Sequence, residues 1–568
     1  MAVTLPSDVL FMILDVLGDE KDYNSLYQCA LASKCFTEHA LSVLYRLYDT
    51  SPLRGGGTED EQFRARRPAA SLASLRREQD PTIRKWIVLW RSILLSTLDQ
   101  TYLPYHRYIR YLDLDDLGDL LGSNKDVKDE LFTPELLDYV SQEYVSEGNK
   151  RRRSPRTLPD NEWIKIKLGS AIVKRNSSIR GMSCNVAPTT LNEWIEGSPQ
   201  LQALTVWSGS TLSQHAGQKI HDHCPEFKQL RIYSWQSIAP QNADTDAEEL
   251  FKELHPNSLE YFEVLSFSHL GSRSIKALGT QRESLVELKL TYLDIEAIAE
   301  LPSLSELPKL EVLALTDSMP TTWNDQFYTT IGQVADWIRS CKKLKRLDLR
   351  KFVDDAELLT QVLANNEIHL TSLSFAGYML ANSRGFFDAV CTHQSLEVLY
   401  LQGEGSETPE DNEKLVQALI GLQDLRELEL KDVSDWFTMD HVMTLTPFLP
   451  RLERLWISGE AFDDSVWSAF LCLQNLQSLA IYALSNFTAE GVLDFITQLG
   501  PGNRGLSLSI LNAASDIYFP EEAQNLIREI LATKLDGSFD FGLVQRVFDF
   551  GLVQEEPSDS SSGEEIYD

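Results

Sequence analysis

Apolar and polar positions along the chain fall into two patterns. Through the C-terminal two-thirds, the spacing LxxLxL, with other apolar residues allowed, recurs in one direction. It reads LQALTV from Leu201, FKQLRI from Phe227, LEYFEV from Leu259, LVELKL from Leu285, LEVLAL from Leu310 and LKRLDL from Leu344. LTSLSF (Leu370), LEVLYL (Leu396), LRELEL (Leu425), LERLWI (Leu452) and LQSLAI (Leu476) follow, with NRGLSL from Asn503 as a degraded last copy. Two weaker copies come first, IRYLDL at Ile109 and IRGMSC at Ile179. From Leu201 onward, successive copies are 24 to 34 residues apart. Apolar residues at the fourth and sixth positions alternate as in a strand, with the residues between them facing the other way. Between copies lie helical stretches such as AELLTQVLANN, EKLVQALIGL and AEGVLDFITQL. One strand-plus-helix unit cannot bury its apolar side alone, so neighbours must stack.

This array resembles the leucine-rich repeat in its long version, one strand and one helix per unit. The fold class that follows is α/β: a parallel sheet on the concave wall, helices on the convex side, and a three-helix segment ahead of them. At about 4.8 Å per strand, a dozen strands give a wall on the order of 55 Å. The third, fifth and seventh positions of each copy point into the hollow. They place there Trp207, Arg231, Tyr233, Tyr261, Glu263 and Lys289, then Arg346, Asp348 and Arg350, then Tyr400, Gln402, Glu427, Glu429, Trp456 and Tyr482. Aromatic and arginine side chains anchor protein interfaces, which makes Trp207, Arg231, Tyr233, Tyr261, Arg346, Arg350, Tyr400, Trp456 and Tyr482 the candidates for holding a protein target. Exposed strands also favour Tyr and Trp for packing alone.

The second pattern is the opening stretch LPSDVLFMILDVL at residues 5–17, where from position 8 onward only Asp8 and Asp15 are polar. Leu10, Ile13, Leu14 and Leu17 make one helical face; Val9, Met12 and Val16 make another. Ser7 is placed to cap the start and Gly18 the end. A second helix, begun by Asp22 or Asn24, carries Leu26, Ala30 and Leu31; a third carries Phe36, Ala40, Val43, Leu44 and Leu47. Three short helices cannot enclose two apolar faces by themselves, so another element or another chain must cover part of them. Leu5-Pro6, Leu10, Ile13, Leu17, Asp22, Leu26, Ser33-Lys34 and Phe36 resemble, in order and spacing, an F-box over residues 3–47, of the fungal kind that carries leucine-rich repeats. The resemblance implies a hook that inserts into the Skp adaptor of an SCF ubiquitin ligase, and through it reaches a cullin. It makes Leu5, Pro6, Leu10, Ile13, Leu17, Leu26 and Phe36 adaptor-facing or supporting residues. Ala32 departs from the usual valine, and Asp8 fills a slot where Glu is common. The apolar helix IRKWIVLWRSILLSTL at 83–98 is the alternative cover from within the chain, and it also serves as a link to the repeats.

Composition narrows the classes. Of 568 residues, 43% are hydrophobic and 24% charged, as in ordinary globular proteins, but the net charge is −32. That charge argues against nucleic-acid or anionic-membrane binding. Seven scattered cysteines without a CxxC pair fit reduced, mostly buried thiols in the cytoplasm or nucleus. No apolar run approaches the roughly 20 residues of a membrane span, and no basic segment precedes the apolar opening as in a signal peptide.

Several motifs tempt and lack context. FDFGLVQRVFDFGLVQ at 539–554 spells the kinase Asp-Phe-Gly twice, without a glycine-rich loop or HRD; it reads as a cover for the last repeat's edge. HDHC (His221, His223, Cys224) is too tightly spaced for usual zinc sites. RGGGTEDEQ at 54–62 lacks a GK[ST] ending, and KRRRSPR at 150–156 reads as a solvated loop before it reads as an import signal. The expected layout is an F-box at 1–50, a helical linker at 51–105 and repeats at 106–535 with an insertion near 118–170. A capping segment at 536–554 and a disordered acidic tail at 555–568 complete it. The chain is expected to act without cofactor or metal and to catalyse nothing itself, either recruiting a target to a ligase or serving as a ligase-independent scaffold.

Overall fold

The computed structural model describes residues 6–20, 22–45, 80–122, 125–144, 160–237, 240–317, 325–352, 355–364, 368–379, 383–404, 409–432, 437–513 and 519–543. Leu5, the stretches at 54–62 and 150–156, the second Asp-Phe-Gly copy and the acidic tail lie outside these residues. The chain divides into two compact units, one over 1–378 and 385–396, the other over 379–384 and 397–568.

The first unit opens with three helices, α1 (Ser7–Asp19), α2 (Tyr23–Ala32) and α3 (Lys34–Leu44). Asp22 caps α2, its carboxylate accepting from the Ser25 amide at 3.0 Å and hydroxyl at 2.6 Å. Those two bonds hold the Asp22 pKa below the usual carboxylate value. Ser33 caps α3 by accepting from the Cys35 amide at 3.2 Å. Ser7, expected as the cap, is the first helical residue, and Pro6 takes the N-cap position. Gly18 is not a terminus either. It lies inside α1, where a Cβ would stand 2.5 Å from Val43 Cγ1, so its absent side chain lets α1 and α3 approach. The hook core is Leu14, Leu26, Ala40 and Val43, ringed by Leu17, Cys29, Ala30, Phe36 and Leu44.

Helix α4 (Asp80–Thr97) packs against the turn at Tyr105–Tyr108 and against the helices Lys125–Leu131, Pro134–Tyr144 and Asn161–Arg175. Its Trp86 and Trp90 indoles both donate to one carboxylate oxygen of Asp116, at 2.8 and 2.6 Å. Asp116 is buried on α5 (Leu114–Gly122), the helix that follows the first strand. Tyr45, at the end of α3, joins the hook to α4. Its hydroxyl meets Ser92 Oγ on α4 at 2.8 Å and its ring stacks on Tyr105 at 5.2 Å. Burial pushes the Tyr45 phenol up to about 12. The insertion is itself helical, with α6 (Lys125–Leu131), α7 (Pro134–Tyr144) and α8 (Asn161–Arg175).

Strands β1 (Tyr111–Asp113), β2 (Gly181–Cys184), β3 (Ala203–Ser208), β4 (Gln229–Ser234), β5 (Tyr261–Val264), β6 (Glu287–Leu293), β7 (Val312–Asp317), β8 (Arg346–Arg350) and β9 (Ser372–Met379) follow in the first unit. Each pairs in parallel with the next. In the second unit β10 (Val398–Glu404), β11 (Glu427–Lys431), β12 (Arg454–Asp463), β13 (Ser478–Asn486), β14 (Ser507–Ala513) and β15 (Ser538–Leu543) do the same. Both units are α/β leucine-rich-repeat stacks. The first, fourth and sixth positions of a copy, such as Leu259, Phe262 and Val264, are fully buried.

Parallel stacking leaves turn carbonyls to be satisfied, and buried side chains just before several strands do this. Asn176 Nδ2 donates to the His106 and Ile109 carbonyls, Asn503 Nδ2 to those of Leu473 and Leu476, and the Cys224 thiol faces those of Ile195 and Ser198. Burial raises the Cys224 thiol to about 12 and the Cys341 thiol to about 11, keeping both protonated. The thiols as a set are less buried than expected: Cys184, Cys224 and Cys341 are buried, Cys29 and Cys391 half-buried, Cys35 and Cys472 exposed.

The last copies differ from the expected register. Leu479 pairs with Leu508 and Ile481 with Ile510, so the strand lies two residues later than the degraded copy from Asn503 implies, and Leu506 takes the first buried position. The Phe-Asp-Phe segment then forms β15, with Phe539 opposite Leu508 and Phe541 opposite Ile510.

Asp116→Ala leaves two indole N–H groups without an acceptor. It is expected to lower stability on the order of 3 kcal/mol, from two bonds to a charged acceptor. Asp116→Asn loses less. Urea unfolding followed by tryptophan fluorescence checks both, and an unchanged midpoint for Asp116→Ala contradicts the role given to this carboxylate.

Candidate functional site

In the hook, the residues expected to contact an adaptor sort by burial. Leu10 is 4% exposed and Leu26 fully buried; Leu17 and Phe36 are half-buried against the core; Pro6 and Ile13 are exposed. The open apolar surface is a different set. On α1 it is Val9, Met12, Ile13 and Val16, spaced at i, i+3, i+4 and i+7, with Met12 68% and Val16 53% exposed. On α2 it is Tyr23, Tyr27 and Leu31, spaced at i, i+4 and i+8, with Leu31 65% exposed. Both are single helical stripes, and α1 packs on α2 and α3 through its opposite side. The sequence shows Val9, Met12 and Val16 as a second apolar face of α1 and groups Leu31 with Leu26 and Ala30 on the second helix; Leu31 instead lies on the open side with Tyr23 and Tyr27, which the pattern does not mark. Tyrosine does not mark a core stripe by hydropathy, so the α2 row is found only once the packing is known.

The strand face of the first unit carries Trp207 and Tyr233, each about two-fifths exposed, with ring centroids 4.5 Å apart. The Trp207 indole donates to Asp115 at 2.8 Å, which fixes the ring on the sheet. Arg231 is exposed but already engaged. Its guanidinium pairs with the buried Glu263 at 2.6 Å and donates to the Tyr261 hydroxyl at 2.8 Å. Tyr261 in turn donates to Glu263, and Lys289 lies 5.1 Å from the Tyr261 ring centre. Burial first, and the Glu263 charge second, raise the Tyr261 pKa. Arg350 is likewise paired, at 2.9 Å, with Asp348, and Arg346 is half-buried. Phe267, 44% exposed and edge-on to Tyr292, adds an aromatic group that the repeat positions did not flag, because it follows its strand.

In the second unit, Trp456 stacks on Tyr482 with centroids 5.9 Å apart, and Lys431 Nζ lies 4.9 Å from the Trp456 ring centre. Lys431 is held by Glu429 at 2.9 Å, and the Tyr400 hydroxyl donates to Glu427. Tyr482 is 43% and Leu484 52% exposed. Neutral, pre-oriented aromatic rows backed by internal ion pairs are therefore what both faces offer. Such surfaces bind by area and shape at low ordering cost.

The HDHC residues diverge. His221 stacks on His255, His223 points to solvent and Cys224 is buried. Among the described residues no group of three or more His, Cys, Asp or Glu side chains is placed to hold a metal ion, and no helix is long and apolar enough to cross a membrane.

No family model matches the chain, and no curated protein matches it. Solved structures similar to it include Rad7 in the Rad7 and Elc1 complex in yeast. That chain is 16% identical with a TM-score of 0.38, over 74% of this chain and 94% of that one. TLR13 in its complex with ssRNA13 is 16% identical with a TM-score of 0.29, over 63% of this chain and 59% of that one. Mouse RP105 in its complex with MD-1 is 14% identical with a TM-score of 0.36, over 66% of this chain and 56% of that one. No functional reading rests on likenesses this distant.

The burial pattern makes a direct prediction. Met12→Ala and Val16→Ala change hook stability by less than about 0.5 kcal/mol, whereas Leu26→Ala costs about 2–5 kcal/mol. Hydrogen exchange of the hook amides under native conditions measures this, and equal costs at the three positions would mean that the stripe is not open.

Proposed function

We propose that this chain is the substrate-recruiting subunit of an SCF-type ubiquitin ligase. Its three-helix hook, an F-box in this reading, docks a Skp-type adaptor and through it a cullin, while the strand face holds a protein target. The observation that carries the reading is the pair of apolar stripes on α1 and α2, left open beside a hook whose own core is complete. Exposed apolar surface on a small domain marks a partner, and the order of residues from Pro6 to Phe36 resembles that of an F-box.

The division of labour is physical. In this reading the chain acts by raising the target's effective concentration at the ubiquitin-loaded enzyme. The Tyr45 junction and the tryptophan–Asp116 contact support this reading, because a stiff link keeps the spacing between hook and first repeats constant. A cytoplasmic or nuclear location goes with it.

Removing residues 1–47 is expected to abolish co-purification with a Skp-type adaptor. The triple change Met12→Lys, Ile13→Lys, Val16→Lys is expected to weaken adaptor binding at least a hundredfold with the protein still folded. Trp207→Ala leaves adaptor binding intact. Adaptor capture by the truncated chain overturns the assignment. Adaptor capture by the intact chain, with no protein stabilised when the gene is deleted, makes it a ligase-independent scaffold instead.

A further inference from the structure

Within the first unit, alternation along β1 to β4 sends a row of side chains outward at the C-terminal ends of the strands. Asp115 follows β1, Asn185 follows β2, Trp207 lies on β3 and Tyr233 on β4. Two residues earlier stand Asp113, Ser183, Thr205 and Arg231, in register with one another. Ser183 and Thr205 are short. The Trp207 indole therefore crosses β2 and donates to Asp115 Oδ2 at 2.8 Å. The Ser183 hydroxyl donates to the same oxygen at 3.0 Å. Tyr233 backs the indole with centroids 4.5 Å apart, and Trp207 stays 45% exposed.

At this end of an otherwise neutral aromatic row, one charge is left over. Both donors to Asp115 are neutral, and they share one oxygen. Among the described residues no Lys or Arg pairs with Asp115, and its Oδ1 accepts no hydrogen bond. The neighbouring charges are committed elsewhere. Asp113 accepts from the Asp115 and Asp116 amides, each at 3.0 Å. Arg231 is held by Glu263, and Lys165, buried on α8, by Glu162 at 2.9 Å. Arg110 and Arg180 precede β1 and β2, at the opposite end of those strands.

We propose that this corner of the strand face takes an arginine side chain from a basic segment of the target protein. A guanidinium is planar, so it stacks on the exposed indole while its N–H fork meets the Asp115 carboxylate. A lysine ammonium is a compact, strongly hydrated point charge and fits the pair less well. The Tyr233 hydroxyl, which has no hydrogen-bond partner among the described residues, is left to bond the backbone beside that arginine. The net charge of −32 draws a basic segment toward the face and repels a nucleic acid. The proposal names the class of target for the strand face. It rests on that half of the proposed function and not on the hook.

The experiment is fluorescence anisotropy on the full chain, without adaptor, using a labelled decapeptide of Gly, Ser and Leu that carries two arginines. Versions with lysine or with uncharged citrulline in their place are the comparisons. The arginine peptide is expected to bind saturably, more tightly than the lysine version and at least tenfold more tightly than the citrulline one. Asp115→Asn keeps an acceptor for the indole and removes only the charge. It is expected to weaken binding at least tenfold, as is Trp207→Leu. Asp222→Asn, at an exposed carboxylate on the helix Ala216–His223, changes net charge equally and is expected to leave binding unchanged. Thermal unfolding of each variant confirms that the fold persists. Absence of saturable binding, undiminished binding by Asp115→Asn, equal loss in Asp222→Asn, or equal binding of the lysine or citrulline peptide overturns the proposal. Adaptor capture is read in parallel: its absence counts against the hook assignment alone, and its presence without peptide binding rejects this site alone.

Discussion

Stacking is the constraint on which the molecule depends. Each repeat presents apolar side chains at its first, fourth and sixth positions, and one strand with one helix has nowhere of its own to put them. Burying each leucine contributes about 1.5–3 kcal/mol, but only with a neighbouring repeat in place. The backbone sets the second half of the constraint. Turn carbonyls enclosed between repeats need donors, and Asn176, Asn503 and Cys224 face them from the position just before a strand. Two very different demands, oily burial and polar satisfaction, are thus met within a few residues of each other.

Everything open to partners is what stacking leaves over. On the sheet, alternation sends every second strand residue outward; Arg231 and Arg350 there are paired with Glu263 and Asp348, and Lys431 with Glu429. Exposed aromatic side chains such as Trp207, Tyr233 and Tyr482 stand among them. At the chain's start, α1 has apolar residues on two sides but only one is used, because α2 and α3 close the core with Leu14 and Leu26. The stripe through Met12 and Val16 is surplus to folding. That surplus is why a partner is proposed for it.

The repeat array was legible because its physics is periodic: the same burial problem recurs and is solved by the same residue type. It failed to read where the type changed. At the last copies a residue is missing before β14 and phenylalanine replaces leucine in β15, so leucine spacing slips by two and then misses a strand. The hook was legible as three amphipathic helices, but not which apolar side faces inward. Leu10 and Leu26 belong inside, and periodicity is blind to the choice when both sides of α1 are apolar. Arg231 and Arg350 read as free anchors because an ion pair two residues along one strand, or across to the next, is invisible before register is known.

The central claim is that the outer side of α1 and α2 is shaped for a second subunit. Hydrogen–deuterium exchange on the intact chain, alone and with a Skp-type adaptor added, tests it most directly. The account predicts new protection confined to residues 7–32, with the repeat strands unchanged. Exchange in that segment unaltered by adaptor, or protection appearing only on the strands, would contradict it.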